Sequence, residues 1–247
     1  MAARMVKGTR STGRYIPEAF AYNLKVPTLQ GVSAKSKRAF DRRIDSLIAA
    51  ELAFYAKAAL TQEEFNASVE SPEAAGMSTD KWVEWCHVNF KDLTGTFSSS
   101  VYRGRYASVV LTFSGLNAPC VGLGGLWVAY QTDRSVTIDA KTANLKSLAD
   151  FTSNANGEVT AAVKTWYARE SPKSLSKRPK VTKDLKVCDR PGNVATILPQ
   201  ESCYIDPYVK SGLVAWLVQD KGIRLTFPAA DGRRYTTIRW ARLPRLL

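Results

Sequence analysis

The sequence is poor in the side chains from which catalytic and metal centres are usually built. Among 247 residues there is one histidine, His87, and the four cysteines (Cys86, Cys120, Cys188, Cys203) form no CxxC pair, which excludes a zinc pattern. No P-loop, GxSxG or HExxH motif occurs, and GLGGLW (122–127) lacks the Lys-Ser/Thr and the following helix that a phosphate loop requires. Cys86 and His87 are adjacent, but neighbouring side chains on a helix diverge, so they make no nucleophile–base pair. These absences argue against an enzyme. No apolar run reaches the ~18 residues that span a membrane as a helix. The start, MAARMVKGTRSTGRYIPEAF, is basic but has no apolar core after its charges, so it does not read as a secretory signal. Intracellular synthesis and reduced thiols are the expectation.

Acid is scarce as well. Thirty-five Lys and Arg stand against 22 Asp and Glu, for a net charge of +13. The excess is blocked: +7 over residues 1–45, +6 over 164–190 and +6 over 221–247, around a middle of −4 over 46–163. Clustered cations without matching acids are the electrostatic footprint of a polyanion binder.

What is present in quantity is apolar, at 45% of the chain, with 10% aromatics, enough for a substantial core. The stretch Val101–Asp133 organises the rest. From Arg105 to Phe113 side chains alternate, and Leu126 to Gln131 alternate again, so two central strands are expected around a Gly- and Pro-marked connection. Further strands are expected at Glu158–Arg169, 193–205, 209–219, Ile223–Phe227 and Tyr235–Leu243, the last reached by a turn at Asp231–Gly232. Many short strands separated by turns predict a mainly β protein, a jelly-roll-like β-sandwich or barrel over residues 93–247.

Ahead of that body, residues 1–34 read as a basic, extended arm that orders against a partner. Residues 35–92 read as a helical extension. Ser33 or Ser36 caps a helix running to about Leu60, with Phe40, Ile44, Leu47, Ile48, Leu52 and Tyr55 as its apolar stripe. A short helix and connector follow over 61–79, then another helix from Asp80 to about Phe90, capped by Ser78 or Thr79.

The candidate binding residues are cations in three groups. Arg4, Lys7, Arg10 and Arg14 lie on the arm, and Lys35, Lys37, Arg38, Arg42 and Arg43 crowd the first turns of the long helix. Cations at a helix N-terminus oppose its dipole, so this second cluster is unfavourable unless an anion lies nearby. Lys173, Lys177, Arg178, Lys180 and Lys183 form a basic loop, with Arg233 and Arg234 as a further patch. Asp133 and Asp139 are candidates to hold a divalent cation between loops at a subunit interface, but hard cations want several oxygens, and solvated loop acids are the better reading. No other cofactor is expected.

An Arg/Lys arm, an amphipathic helix and a β body resemble the jelly-roll coat proteins of small plant-type RNA viruses. GGLWVAYQTDRSVTIDAKTANLKSLADF resembles that family's Gly turn, alternating strand, Asp and loop, and YVKSGLVAWLV and TTIRWARLPRLL are placed like its later strands. The resemblance implies a capsid or nucleocapsid protein that self-assembles in a virion, after a time in the host cytoplasm, and packages nucleic acid, single-stranded RNA, through phosphate contacts and without a membrane. YQTDR (Tyr130–Arg134) followed by Gly192 also resembles the 30K-type viral movement proteins, which bind single-stranded nucleic acid. A third alternative is a cellular single-strand-binding module in which Tyr102, Tyr106 or Trp127 stacks bases.

Overall fold

A computed structural model describes residues 1–70, 74, 76–116, 129–152, 154–155, 157–159, 161–162, 214–229 and 232–243. The fold is mainly β. Its strands are β1 (Ala2–Ser11), β2 (Ala19–Thr28), β3 (Leu93–Tyr102), β4 (Tyr106–Leu116), β5 (Ala129–Asp139), β6 (Leu145–Lys146), β7 (Ala215–Gln219), β8 (Gly222–Ala229) and β9 (Gly232–Arg239). Three helices, α1 (Ala34–Ala56), α2 (Gln62–Val69) and α3 (Thr79–Val88), lie between β2 and β3. The first six strands form one sheet in chain order, and β7–β8–β9 form a second. A jelly roll interleaves strands distant in the chain, and the described strands do not show that order.

The chain divides into two compact units. The first comprises Met1–Thr28, Asp41–Phe97 and Leu111–Thr132; the second comprises Leu29–Phe40, Ser98–Val110 and Asp133–Leu247.

In the first unit the expected arm is a β-hairpin. β1 and β2 pair antiparallel from Ala2↔Thr28 to Ser11↔Ala19, and β2 pairs parallel with β3 through Tyr22↔Leu93 and Leu24↔Gly95. Phe20, Leu24 and Val26 alternate along β2 and are buried, as are Ile44, Ile48, Leu52 and Tyr55 along α1. Burying each such side chain contributes about 1.5–3 kcal/mol. The Tyr55 ring sits 4.9 Å from both Phe20 and Phe90, and its hydroxyl reaches the carbonyl oxygens of Lys91 at 2.6 Å and Leu116 at 2.8 Å. Burial pushes the Tyr55 pKa up. A separate cluster joins Ile16, Phe65, Ala74, Trp82 and Cys86. Here α2 begins with a capping box: Thr61 Oγ1 accepts from the Glu64 amide, and the Glu64 carboxylate accepts from the Thr61 amide. That second bond, above all, holds the Glu64 pKa below its ordinary value. The thiol expectation is corrected: Cys86, fully buried, is disulfide-bonded, and the other three cysteines lie outside the described residues.

In the second unit Tyr102, Tyr106, Phe151, Val159, Val218, Ile223, Leu225 and Ile238 share a core. β8 pairs with β7 from Gly222↔Gln219 and with β9 from Gly222↔Arg239. Val218 of β7 donates its amide to Ser108 Oγ at 3.1 Å, while its carbonyl accepts from Ser100 Oγ. Ser108 in turn bonds Thr137 of the neighbouring β5 at 2.7 Å, so a buried hydroxyl of β4 satisfies a backbone amide of β7, a strand of the other sheet. The strand expected at Glu158–Arg169 is overturned where it is described: residues 155, 157–159 and 161–162 are helical, and Glu158 donates its amide to the Asn154 carbonyl at 2.9 Å. The strand expected at 193–205 lies outside the described residues.

Candidate functional site

Three chain reversals of the second unit converge. The first is the β3–β4 connection, which lies within the stretch Val101–Asp133 and was not expected as a turn. Arg103 and Gly104 both have positive φ, +51° and +61°, and the Arg105 amide donates to the Tyr102 carbonyl at 3.0 Å. This is a two-residue turn of the primed kind, whose twist suits a hairpin. It presents an arginine on either side of Gly104. The Arg103 guanidinium lies 5.2 Å from the Tyr102 ring and that of Arg105 lies 5.1 Å from the Tyr106 ring. Both rings are fixed in the core, so they serve as platforms for the cations.

The second reversal joins β5 to β6. Asp139 is buried, and its Oδ1 accepts from the amides of Lys141 at 3.0 Å and Thr142 at 3.3 Å. Its Oδ2 accepts from Arg105 Nε at 2.9 Å. Burial pushes this carboxyl up, but the bond from Arg105 and the two amides outweigh burial and leave its pKa below the ordinary value. The Ala140 amide donates to the Arg105 carbonyl at 2.7 Å, which fastens the two turns together.

The third is the start of α1. Ser33 is its cap: Ser33 Oγ accepts from the Ser36 amide at 3.1 Å, and its carbonyl accepts from the Lys37 amide at 2.9 Å. Ser36 is buried and donates its hydroxyl to the Ala140 carbonyl at 2.7 Å. Lys35 and Lys37 therefore flank a residue bonded to the turn that carries Lys141.

The result is a rim of exposed cations: Lys35, Lys37, Arg38, Arg103, Arg105 and Lys141. The acid most closely embedded in it, Asp139, is already committed to Arg105 and to its own turn. Lys35 and Arg38 are spaced to share one outward face of α1, while Arg42 and Arg43, also exposed, belong to the first unit. Like charges so close raise one another's energy and oppose the helix dipole, and a multiply charged anion relieves both. The arginines can also grip a phosphate through paired N–H donors, which lysine cannot.

The other expected cations are placed differently. Arg4 pairs with Asp45, and Arg14 pairs with Glu64 at 3.2 Å, so both are matched within their own unit. Lys7 is exposed, and Arg10 is half-buried on the other face of β1. Lys173, Lys177, Arg178, Lys180 and Lys183 lie outside the described residues. Arg233 and Arg234 occupy β9, in backbone register with Pro228 and Phe227. Asp133 and Asp139 stand six residues apart on β5, a rise of about 20 Å, too far to share one cation. Among the described residues no group of three or more His, Cys, Asp or Glu suits a metal ion.

Arg103, Arg105 and Lys141 were not expected because they lie within the acidic middle of the chain, outside its basic blocks. The signal available was YRGRY, an Arg-Gly pair between two tyrosines.

No protein-family profile and no curated protein matches the sequence. Among solved structures, the chain is similar to a DUF3298 family protein of Pseudomonas aeruginosa, at 10% identity and a TM-score of 0.45, covering 99% of this chain and 93% of that one. It is also similar to a DUF3298 family member of Bacteroides fragilis, at 11% identity and a TM-score of 0.46, covering 97% and 90%. Both are bacterial proteins and neither is a viral coat or movement protein, which overturns the expected capsid, virion and movement roles. The physical basis of the error is the N-terminus: residues read as a free packaging arm form β1 and β2 of a sheet.

Proposed function

We propose that the protein is a non-catalytic binding domain whose basic rim engages a linear, phosphate-rich polymer through its phosphates. The observation that carries this reading is the hydrogen-bonded chain Ser36–Ala140–Arg105–Asp139, which gathers cations from three separate segments. The Ser36 hydroxyl, the Ala140 amide and the Arg105–Asp139 bond hold the segments, and Lys35, Arg38, Arg103 and Lys141 are exposed on them. Charge density along the rim sets the affinity. The disulfide at Cys86 supports work in an oxidising compartment.

The test combines Lys35→Ala, Arg38→Ala, Arg103→Ala and Lys141→Ala in one chain and measures binding of inorganic polyphosphate and of labelled oligouridylate. The reading predicts loss of both affinities, with an unchanged circular dichroism spectrum. Retention of wild-type affinity by the fourfold variant refutes it.

A further inference from the structure

β1 is the first strand of the six-stranded sheet and pairs on one side only. Which of its groups face outward follows from one hydrogen bond. Thr12 donates its amide to the Glu18 carbonyl at 2.8 Å, one step beyond Ser11↔Ala19 in the same register. Bonded and non-bonded pairs alternate along an antiparallel ladder, so Arg4, Val6, Gly8 and Arg10 aim their backbone groups at β2. Ala3, Met5, Lys7, Thr9 and Ser11 aim theirs outward. Among the described residues nothing takes up those N–H and C=O groups.

We propose that this edge accepts an extended acidic segment of another protein as a seventh strand. The backbone supplies the ladder, and the side chains set the sign of the charge. Lys7 projects on the open face beside Met5, which is 52% exposed. Arg4 and Arg10 lie on the opposite face with half-buried Val6 between them. Arg4 is matched by Asp45, so a strand laid against β1 meets Lys7 on one of its faces and Arg10 on the other, and carboxylates on that strand are favoured by cross-strand pairing. A second copy of this chain is disfavoured by the same rule: antiparallel pairing centred on Lys7 sets Lys7 against Lys7 and Arg4 against Arg10. This edge belongs to the first unit and is independent of the basic rim.

The probe is a synthetic peptide of about ten residues, one strand length, alternating Glu with Thr, and its control carries Lys at every Glu. Hydrogen exchange of the full chain is followed at the amides of Met5, Lys7 and Thr9. The Glu peptide is expected to slow exchange at these three amides by about tenfold or more at saturation. Lys7→Pro removes an outward N–H without touching the β2 ladder and is expected to abolish the effect, with exchange at Leu24 and Val26 unchanged. Should that variant fail to fold, Lys7→Glu combined with Arg10→Glu is expected to turn the preference towards the Lys peptide. Equal protection by both peptides, protection by neither, or a dimer of the protein alone with these amides already protected overturns the proposal. Protection by neither leaves the cations as guards that keep the edge unpaired.

Discussion

Ser36 Oγ donates to the Ala140 carbonyl oxygen at 2.7 Å, and both residues are held again from their other side: Ser36 by Ser33, Ala140 by the Arg105 carbonyl. One buried hydroxyl thus couples the start of a helix to a hairpin 104 residues further along the chain. Ser36→Ala removes the only side-chain donor in that link and carries no change of charge. Unfolding in urea is expected to show a loss of about 1–3 kcal/mol, the cost of a buried carbonyl left without its donor. Polyanion affinity is expected to fall as well, because the cations remain but their spacing relaxes.

Asp139→Asn tests the second link. An amide cannot accept from Arg105 Nε and from the amides of Lys141 and Thr142 with both of its heavy atoms, since one of them is a donor. A loss of about 1–3 kcal/mol is expected in urea unfolding. Little of it comes from the Coulomb attraction itself, because the Arg105 side chain is half exposed and screened by solvent. The sign with pH is fixed by the lowered pKa of the folded carboxyl. Its contribution is complete above the unfolded value of about 3.9 and is lost as pH falls through the folded value. Between pH 5 and 2, on the order of the range over which such groups titrate, the variant's stability should fall less steeply than the wild type's.

In the first unit the Tyr55 hydroxyl serves two carbonyls, of Lys91 and Leu116. Tyr55→Phe keeps the ring against Phe20 and Phe90 and deletes only that donor. A loss of about 1–2 kcal/mol in thermal or urea unfolding is expected, with no change in polyanion binding.

Gly222 opens β8 with φ of +145°, and a Cβ there would lie 2.0 Å from the Ile238 carbonyl oxygen. Backbone cannot yield as a flexible side chain does. Gly222→Ala is expected to destabilise the second unit by about 2 kcal/mol or more, read as a lowered urea midpoint.

The helices were legible because their signals are local. The apolar stripe from Phe40 to Tyr55 and the cap at Ser33 set α1, and Ser78 sets α3 through its bond from the Lys81 amide. β1 was not legible. It lies at a sheet edge, its outward residues Ala3, Lys7 and Thr9 are exposed, and its strand character comes from pairing with β2 rather than from apolar content. The Arg103–Gly104 turn was missed for a different reason. Tyr102 and Tyr106 on either side are both buried, so the run kept its strand-like look through the reversal. Half of the rim was visible as Lys35, Lys37 and Arg38. The other half depends on which turns the fold brings to α1, and Ser36–Ala140 is a contact that no local pattern announces.

The salt dependence of oligouridylate binding tests the central claim most directly. Each phosphate neutralised on a single strand contributes about −0.7 to the slope of log affinity against log salt, so four contacts give about −3. The account predicts a slope of that order for the wild-type chain, flattened by about 0.7 for each of Lys35, Arg38, Arg103 and Lys141 changed to alanine. A slope near zero, or a steep slope that survives all four substitutions, contradicts it.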